Sequence, residues 1–215
     1  MNAYKRALLE AGRTLLHSGL TVETWGNLSV RGADGRVYIT PSGMDYDACV
    51  EDDIVCMDLD GNVLEGARKP SVETGLHLAV YRVRPDVGAV VHTHPIYSTV
   101  FSCIGEGIPL CIDEAAQALG APVETCGYAL PGSEALAQAC AAKLSGEANA
   151  CLLKSHGAVC VGADLKAAFK VARVLEMTAE IYWRIRAMGL RPDPLASSDI
   201  AYMKDFAAHR YGQRG

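Results

Sequence analysis

Apolar positions change their spacing several times along the chain, and each change marks an element. Tyr4, Leu8, Ala11 and Leu15 recur at helical spacing, with Glu10, Arg13 and His17 between them. That pattern predicts an amphipathic first helix, and its internal charges distinguish it from a signal peptide. Gly19 is its expected C-terminal cap. Residues 27–30 and 36–40 then read as a β-hairpin turning at Gly32-Ala33-Asp34-Gly35, and residues 53–58 and 62–65 as a second strand pair turning at Asp60-Gly61. Ser71 is placed to cap a helix running to about Arg84, where Pro85 stops it. The continuous run Val87-Gly88-Ala89-Val90-Val91 predicts a buried strand, and Pro95 opens a helix toward Cys103. Pro131-Gly132-Ser133 introduces a further helix. Two strands follow, before His156 and at residues 158–161. Asp164 caps the longest helix, through about Met188 and ended by Gly189, and a last short helix starts near Ser197.

Hairpins come early and strands and helices alternate irregularly afterwards. This predicts a single α/β domain over residues 1–215, with a mixed, mostly antiparallel central sheet flanked by helices in three layers. With half its 215 residues hydrophobic and 21% charged, the chain can build a substantial core. The formal net charge of −5 argues against a general nucleic-acid binder, and an anionic substrate would need a local positive site. No stretch approaches the roughly 20 apolar residues that span a bilayer. The eight cysteines are scattered without a C-x-x-C pair, most beside Val, Leu, Ile or Ala. They read as small buried hydrophobes in a reducing compartment, which predicts a cytoplasmic protein.

Chemistry concentrates at His92-Thr93-His94, which closes the buried apolar strand. Residues two apart in a strand share a side, so both rings can aim at one point. Burying two imidazoles there is costly unless something binds them. His156 follows a second apolar run and supplies a third nitrogen, the protein share of an open, zinc-type catalytic site. Glu73 is the natural fourth member, an acid near a helix start behind the stiff Lys69-Pro70-Ser71 lead-in. A carboxylate beside a metal can ligate it, or leave it and act as a base. His17 and His209 have charged helical neighbours and read as ordinary surface residues, while His77, one turn after Glu73, fits either reading. The turns Thr24-Trp25-Gly26-Asn27, Thr40-Pro41-Ser42-Gly43 and the one at Ser71 combine hydroxyls with backbone N–H groups able to hold a phosphate. Neither Gly-rich nucleotide-binding motif is present.

Taken in order, T-W-G-N-L-S-V-R, I-T-P-S-G-M-D-Y, K-P-S-V-E-T, V-V-H-T-H-P and L-L-K-S-H-G-A-V resemble the class II aldolase/adducin-head family. Its enzymes include L-fuculose-1-phosphate aldolases and L-ribulose-5-phosphate 4-epimerases. The resemblance implies a Zn2+ site, with Mn2+ or Co2+ as alternatives, made by His92, His94 and His156. Glu73 would be a ligand at rest and an acid/base in turnover. It also implies phosphate contacts from Gly26, Asn27, Ser42, Gly43 and Ser71. The assembly it implies is a homotetramer with interfacial active sites, no nucleic-acid or membrane partner, and a tail from about residue 197 that carries Tyr211 over a neighbour's site.

The implied reaction is reversible cleavage of a ketose 1-phosphate, of the L-fuculose 1-phosphate type, to dihydroxyacetone phosphate and an aldehyde. It runs through an enediolate that the metal stabilises as a Lewis acid. Glu73 resembles the aldolase glutamate; the epimerases carry aspartate in the equivalent segment. Two departures bear on the substrate. Val72 stands where a second serine is common, and Asp113 stands where the fuculose enzyme has a catalytic tyrosine. The alternatives are 4-epimerisation and dehydration or decarboxylation of a sugar phosphate, for which Glu114 is the extra acid. A non-enzymatic module like the adducin head is disfavoured by the three histidines and Glu73.

Overall fold

The computed structural model describes residues 2–212. Eight strands form one sheet in the order β4-β3-β2-β1-β5-β8-β7-β6, where β1 is Asn27–Arg31, β2 Val37–Ile39, β3 Val55–Met57, β4 Val63–Glu65, β5 Ala89–Thr93, β6 Thr125–Cys126, β7 Ala150–Leu153 and β8 Gly157–Gly162. Every pairing is antiparallel except β6 with β7. The mixed, mostly antiparallel sheet expected from the sequence is the one observed.

Strand alternation divides the core in two. Ala89 and Val91 of β5, Ala158 and Cys160 of β8 and Leu28 and Val30 of β1 face one side. They pack under helices α1 (Ala3–His17), α3 (Ile96–Ile104), α4 (Asp113–Leu119) and α6 (Leu165–Ala187). Val90, Val159 and Val161 face the other side, under α2 (Thr74–Val83) and α5 (Glu134–Leu144). Sheet faces buried on both sides explain why β5 and β8 are apolar without alternation. Helix α7 (Ser197–His209) lies outside this sandwich, against α4.

The departures from expectation have local causes. Ser71 does not cap α2: its Oγ accepts the Glu73 N–H at 3.2 Å and its carbonyl accepts Thr74 N–H at 3.1 Å. These bonds wind residues 71–74 into a turn, so the N-cap falls on Glu73. Asp53 sits in a 3₁₀ turn before β3 and pairs with Arg68 at 2.7 Å. α4 and β6 had no expectation from the sequence, and α7 is longer than the short helix expected. No described helix is long and apolar enough to cross a membrane. All eight cysteines are free and six are buried.

Candidate metal and anion site

The site forms where β1, β5 and the β7–β8 turn meet the start of α2. Asn27 and His92 are direct cross-strand partners, and His92 is paired in turn with Val159. His94 lies just past the end of β5, its N–H bonded to the Leu20 carbonyl at 2.9 Å. His156 is delivered by a turn in which Ser155 adopts φ 56°, a left-handed conformation uncommon outside glycine. The strand ends approach closely. A Cβ on Gly157 would sit 2.3 Å from the Thr93 carbonyl oxygen, and one on Gly26, which has φ 96°, 2.8 Å from that of His92. Glycine at these two positions lets the His156 turn and the turn at residues 24–27 reach β5.

The three imidazoles converge with ring centroids 4.6–4.8 Å apart, and their ligand nitrogens lie within 4.8 Å of one another. Glu73 lies among them, with Oε2 3.1 Å from His92 Nε2 and Oε1 3.7 Å from His156 Nε2. His92 is fully buried, and its Nδ1 lies 3.0 Å from the Ala158 carbonyl oxygen. A carbonyl only accepts, so the single proton of the neutral ring resides on Nδ1. Nε2 then directs a lone pair at a carboxylate oxygen and at His94 Nε2, 2.8 Å away. A cation placed among these atoms would engage all of them at once. A proton is a poor one: burial first, then His156, pushes His92 down to about 3. At pH 7 such a ring is neutral. Burial, with His92 and His156 adding to it, pushes His94 to about 3 as well. Glu73 Oε1 is buried without a hydrogen-bond partner. Neutral imidazoles, a converging carboxylate and an orphaned oxygen are the donor set of a divalent metal, so these residues fit one.

A cavity of about 590 Å³ opens beside this cluster. Its lining includes Gly26, Asn27, Ser42, Gly43 and Ser71 together with Glu73, His94 and His156. The glycine- and serine-bearing turns are tied to one another. Ser42 N–H donates to the Lys69 carbonyl at 3.0 Å, Ser71 N–H to that of Thr40 at 3.1 Å, and the Tyr46 hydroxyl to that of Gly26 at 2.9 Å. No lysine or arginine is among the described lining residues, so an anion there would meet hydroxyl and amide donors.

Three expected site residues are not brought here. Asp113 and Glu114 are exposed in the first turn of α4, where a helix N-terminus favours acids. Tyr211 is 66% exposed and lies against Phe206 just beyond α7. None lines the cavity of its own chain. His17 and His209 are surface residues beside Asp47 and Asp205, as their neighbours suggested. Thr24, Trp25 and Pro41, from the turns the sequence singled out, also line the cavity with Val72, and Pro131 and Ser155 join them without having been expected there.

Residues 6–183 match the family model for the class II aldolase and adducin N-terminal domain. The chain is 43% identical over 182 residues to a 5-methylthioribulose-1-phosphate/5-deoxyribulose-1-phosphate aldolase of Rhodospirillum rubrum, covering 85% of this chain and 81% of that one. It is 35% identical over 186 residues to a 5-deoxy-D-ribulose 1-phosphate aldolase of Bacillus thuringiensis, covering 86% of each. Among solved structures, an L-fuculose 1-phosphate aldolase superposes with a TM-score of 0.90 at 36% identity, over 95% of this chain and 96% of that one.

Proposed function

Because the chain belongs to the class II aldolase and adducin N-terminal domain family, we propose that it reversibly cleaves a 5-deoxypentulose 1-phosphate to dihydroxyacetone phosphate and a short aldehyde. The observation that carries this reading is Glu73: a buried carboxylate with one unpartnered oxygen, set among three imidazoles at the edge of a cavity lined by phosphate-type turns. His92, His94 and His156 would hold a divalent ion, Zn2+ in this reading with Mn2+ or Co2+ as substitutes, and Glu73 would join them at rest. When bound, the ion supplies Lewis-acid stabilisation of the charge that develops on the substrate's carbonyl oxygen.

The protein's own groups do the rest. Ser42, Ser71 and the backbone around Gly26, Asn27 and Gly43 hold the phosphate and so place the ketone beside the histidines. In cleavage, the hydroxyl at C4 gives up its proton to solvent, Glu73 takes one up in its place, the C3–C4 bond breaks, and its electron pair remains on the C3 side. Glu73 Oε1 then delivers a proton to C3. In the reverse direction the same oxygen removes that proton from dihydroxyacetone phosphate. Both steps need a carboxylate poised a short reach from carbon and shielded from water, which matches its burial.

The sequence alone points to an L-fuculose-type substrate; two observations move the proposal to a 5-deoxypentulose. The relatives at 43% and 35% identity carry 5-deoxyribulose 1-phosphate in their names. Trp25 and Val72, 60% and 66% exposed, line the cavity with Pro131 and offer apolar surface to an aldehyde that carries no hydroxyl. A hydrophobic surface rejects an added hydroxyl only modestly, by up to about 10²-fold. Release of dihydroxyacetone phosphate from 5-deoxyribulose 1-phosphate should therefore exceed that from L-fuculose 1-phosphate by roughly 10–100-fold in kcat/KM. Equal or better cleavage of the fuculose ester overturns the substrate assignment. An isomeric pentulose phosphate in place of dihydroxyacetone phosphate would make the protein an epimerase.

Tyr211 completes the reading as a residue that serves a neighbouring copy. It does not line the cavity of its own chain, and it follows α7, which packs on α4, whose first turn bears Asp113 and Glu114. In a homotetramer with interfacial sites, the phenol would exchange a proton with the C4 oxygen, with Asp113 and Glu114 as flanking acids. Tyr211→Phe should slow cleavage while metal content, assembly mass and dihydroxyacetone phosphate proton exchange stay near wild type. Unchanged cleavage, or full activity in a monomer, removes Tyr211 from the chemistry.

A further inference from the structure

Strand β1 and helix α2 interleave polar side chains at matched spacing. Asn27 and Ser29 lie two apart on the strand face beneath α2, while Glu73, His77 and Tyr81 lie four apart on the helix above it. Successive contacts alternate between the two elements. Tyr81 Oη lies 2.8 Å from Ser29 Oγ, and Ser29 Oγ 2.6 Å from His77 Nδ1. His77 Nε2 lies 2.6 Å from Asn27 Oδ1, and Asn27 Nδ2 2.8 Å from Glu73 Oε2. All five residues are buried. A polar network in such a place is costly unless every member is satisfied, and this one terminates on the group that the proposed mechanism uses.

The chain has one polarity. A carboxylate only accepts, so Asn27 turns its NH₂ toward Glu73 and its Oδ1 toward His77. His77 must then carry its proton on Nε2. Burial pushes this imidazole down to about 3, so the ring is neutral and Nδ1 accepts. Ser29 donates to Nδ1, and the Ser29 oxygen accepts the phenol proton of Tyr81. Every hydrogen bond thus points toward Glu73 Oε2, which is engaged, while Oε1 is left without a partner. Moving the proton-carrying role to Oε2 would require an Asn27 amide flip, the other His77 tautomer and reversal of the Ser29 hydroxyl together.

We infer that His77 is a positioning residue that, through Asn27, fixes the Glu73 carboxylate so that Oε1 and not Oε2 exchanges the substrate proton. The inference rests on the reading of Glu73 as the acid/base. His77 does not line the cavity beside the histidines, and Asn27 stands between it and Glu73. Glutamine at position 77 can still donate to Asn27 and accept from Ser29; leucine can do neither.

The test uses zinc-loaded protein and dihydroxyacetone phosphate in deuterated water. His77→Leu should slow exchange of the C3 proton by about 10–100-fold, the usual scale for an outer-sphere partner, with metal still bound and KM little changed. His77→Gln should recover most of the rate. Ser29→Ala, which releases the His77 tautomer without opening a large void, should give a smaller loss and stands in if the leucine variant does not fold. Nitrogen-15 spectra of histidine-labelled protein should report His77 protonated at Nε2. Wild-type exchange in both His77→Leu and Ser29→Ala, glutamine no better than leucine, or a proton on Nδ1 overturns the relay. Glu73→Gln measured alongside separates the two readings. If it too exchanges at the wild-type rate, the acid/base role itself fails; slow exchange there with unaffected His77 variants overturns the relay alone.

Discussion

His92→Ala is expected to abolish metal retention and reduce turnover to background. His92 is the one member of the histidine cluster that is fully buried, and its ring is oriented by the Ala158 carbonyl, which accepts from Nδ1. Losing even an outer-sphere partner of a metal ligand typically costs about 10–100-fold in affinity, and loss of a ligand itself exceeds that. The remaining set, His94, His156 and Glu73, would also face the void left by the imidazole, which water can enter. Elemental analysis after dialysis checks the first effect, with about one ion per subunit expected for wild type and far less for the variant. His17→Ala serves as the control, because that ring is exposed beside Asp47 and should change neither metal content nor rate. A His92→Ala protein that keeps its metal and its turnover would remove the cluster from the chemistry. So would a wild-type protein that takes up no zinc, manganese or cobalt.

The histidine cluster was legible because strand periodicity is local. His92 and His94 close an apolar run, and a two-residue repeat at a strand end leaves few alternatives. The buried face of α1 was legible for the same reason, although Tyr4 belongs elsewhere: it stacks on Tyr38 at 5.2 Å and is 36% exposed. α4 escaped notice because its seven residues are too few to establish a helical period, and its N-cap Ile112 makes no capping bond. β6 is two residues long and exists only by pairing with β7, so no local pattern could announce it. The packing of β1 beneath α2 joins segments some fifty residues apart in sequence, and the whole relay depends on it. Until Asn27 and Ser29 are laid beneath α2, His77 is an ambiguous helical histidine and Tyr81 an ordinary aromatic. The four-residue spacing of Glu73, His77 and Tyr81 is the one trace of the relay in the sequence. Three polar residues on the buried stripe of a short helix are uncommon enough to mark it. The Ser71 turn illustrates the reverse case. Its composition suggested a cap, but serine can close a turn on its own neighbours as well as begin a helix, and that choice shifts Glu73 to the N-cap beside the histidines.

The second large effect concerns Glu73. Glu73→Gln preserves the shape of the side chain and its bond from Asn27, because the amide oxygen can replace Oε2 as acceptor. The NH₂ group then occupies the place of the unpartnered Oε1, near His156. What is lost is the ability to take and return a proton at that atom. Loss of a general acid/base typically costs about 10²–10⁴-fold, and the decrease should appear in kcat as well as kcat/KM. Exchange of the C3 proton of dihydroxyacetone phosphate into deuterated water isolates the step, since it requires neither the aldehyde nor cleavage of a carbon–carbon bond. Exchange and cleavage should therefore fall together in Glu73→Gln, whereas Tyr211→Phe should affect cleavage alone. Three histidines remain to hold the ion, so metal content should fall far less than in His92→Ala, and reporting the rate per bound metal removes that contribution. If exchange per bound metal in Glu73→Gln equals that of wild type, the proton is handled elsewhere and the carboxylate is a ligand only. A loss confined to metal affinity would lead to the same conclusion. A slow exchange with metal in place would leave Glu73 Oε1 as the atom between substrate carbon and protein.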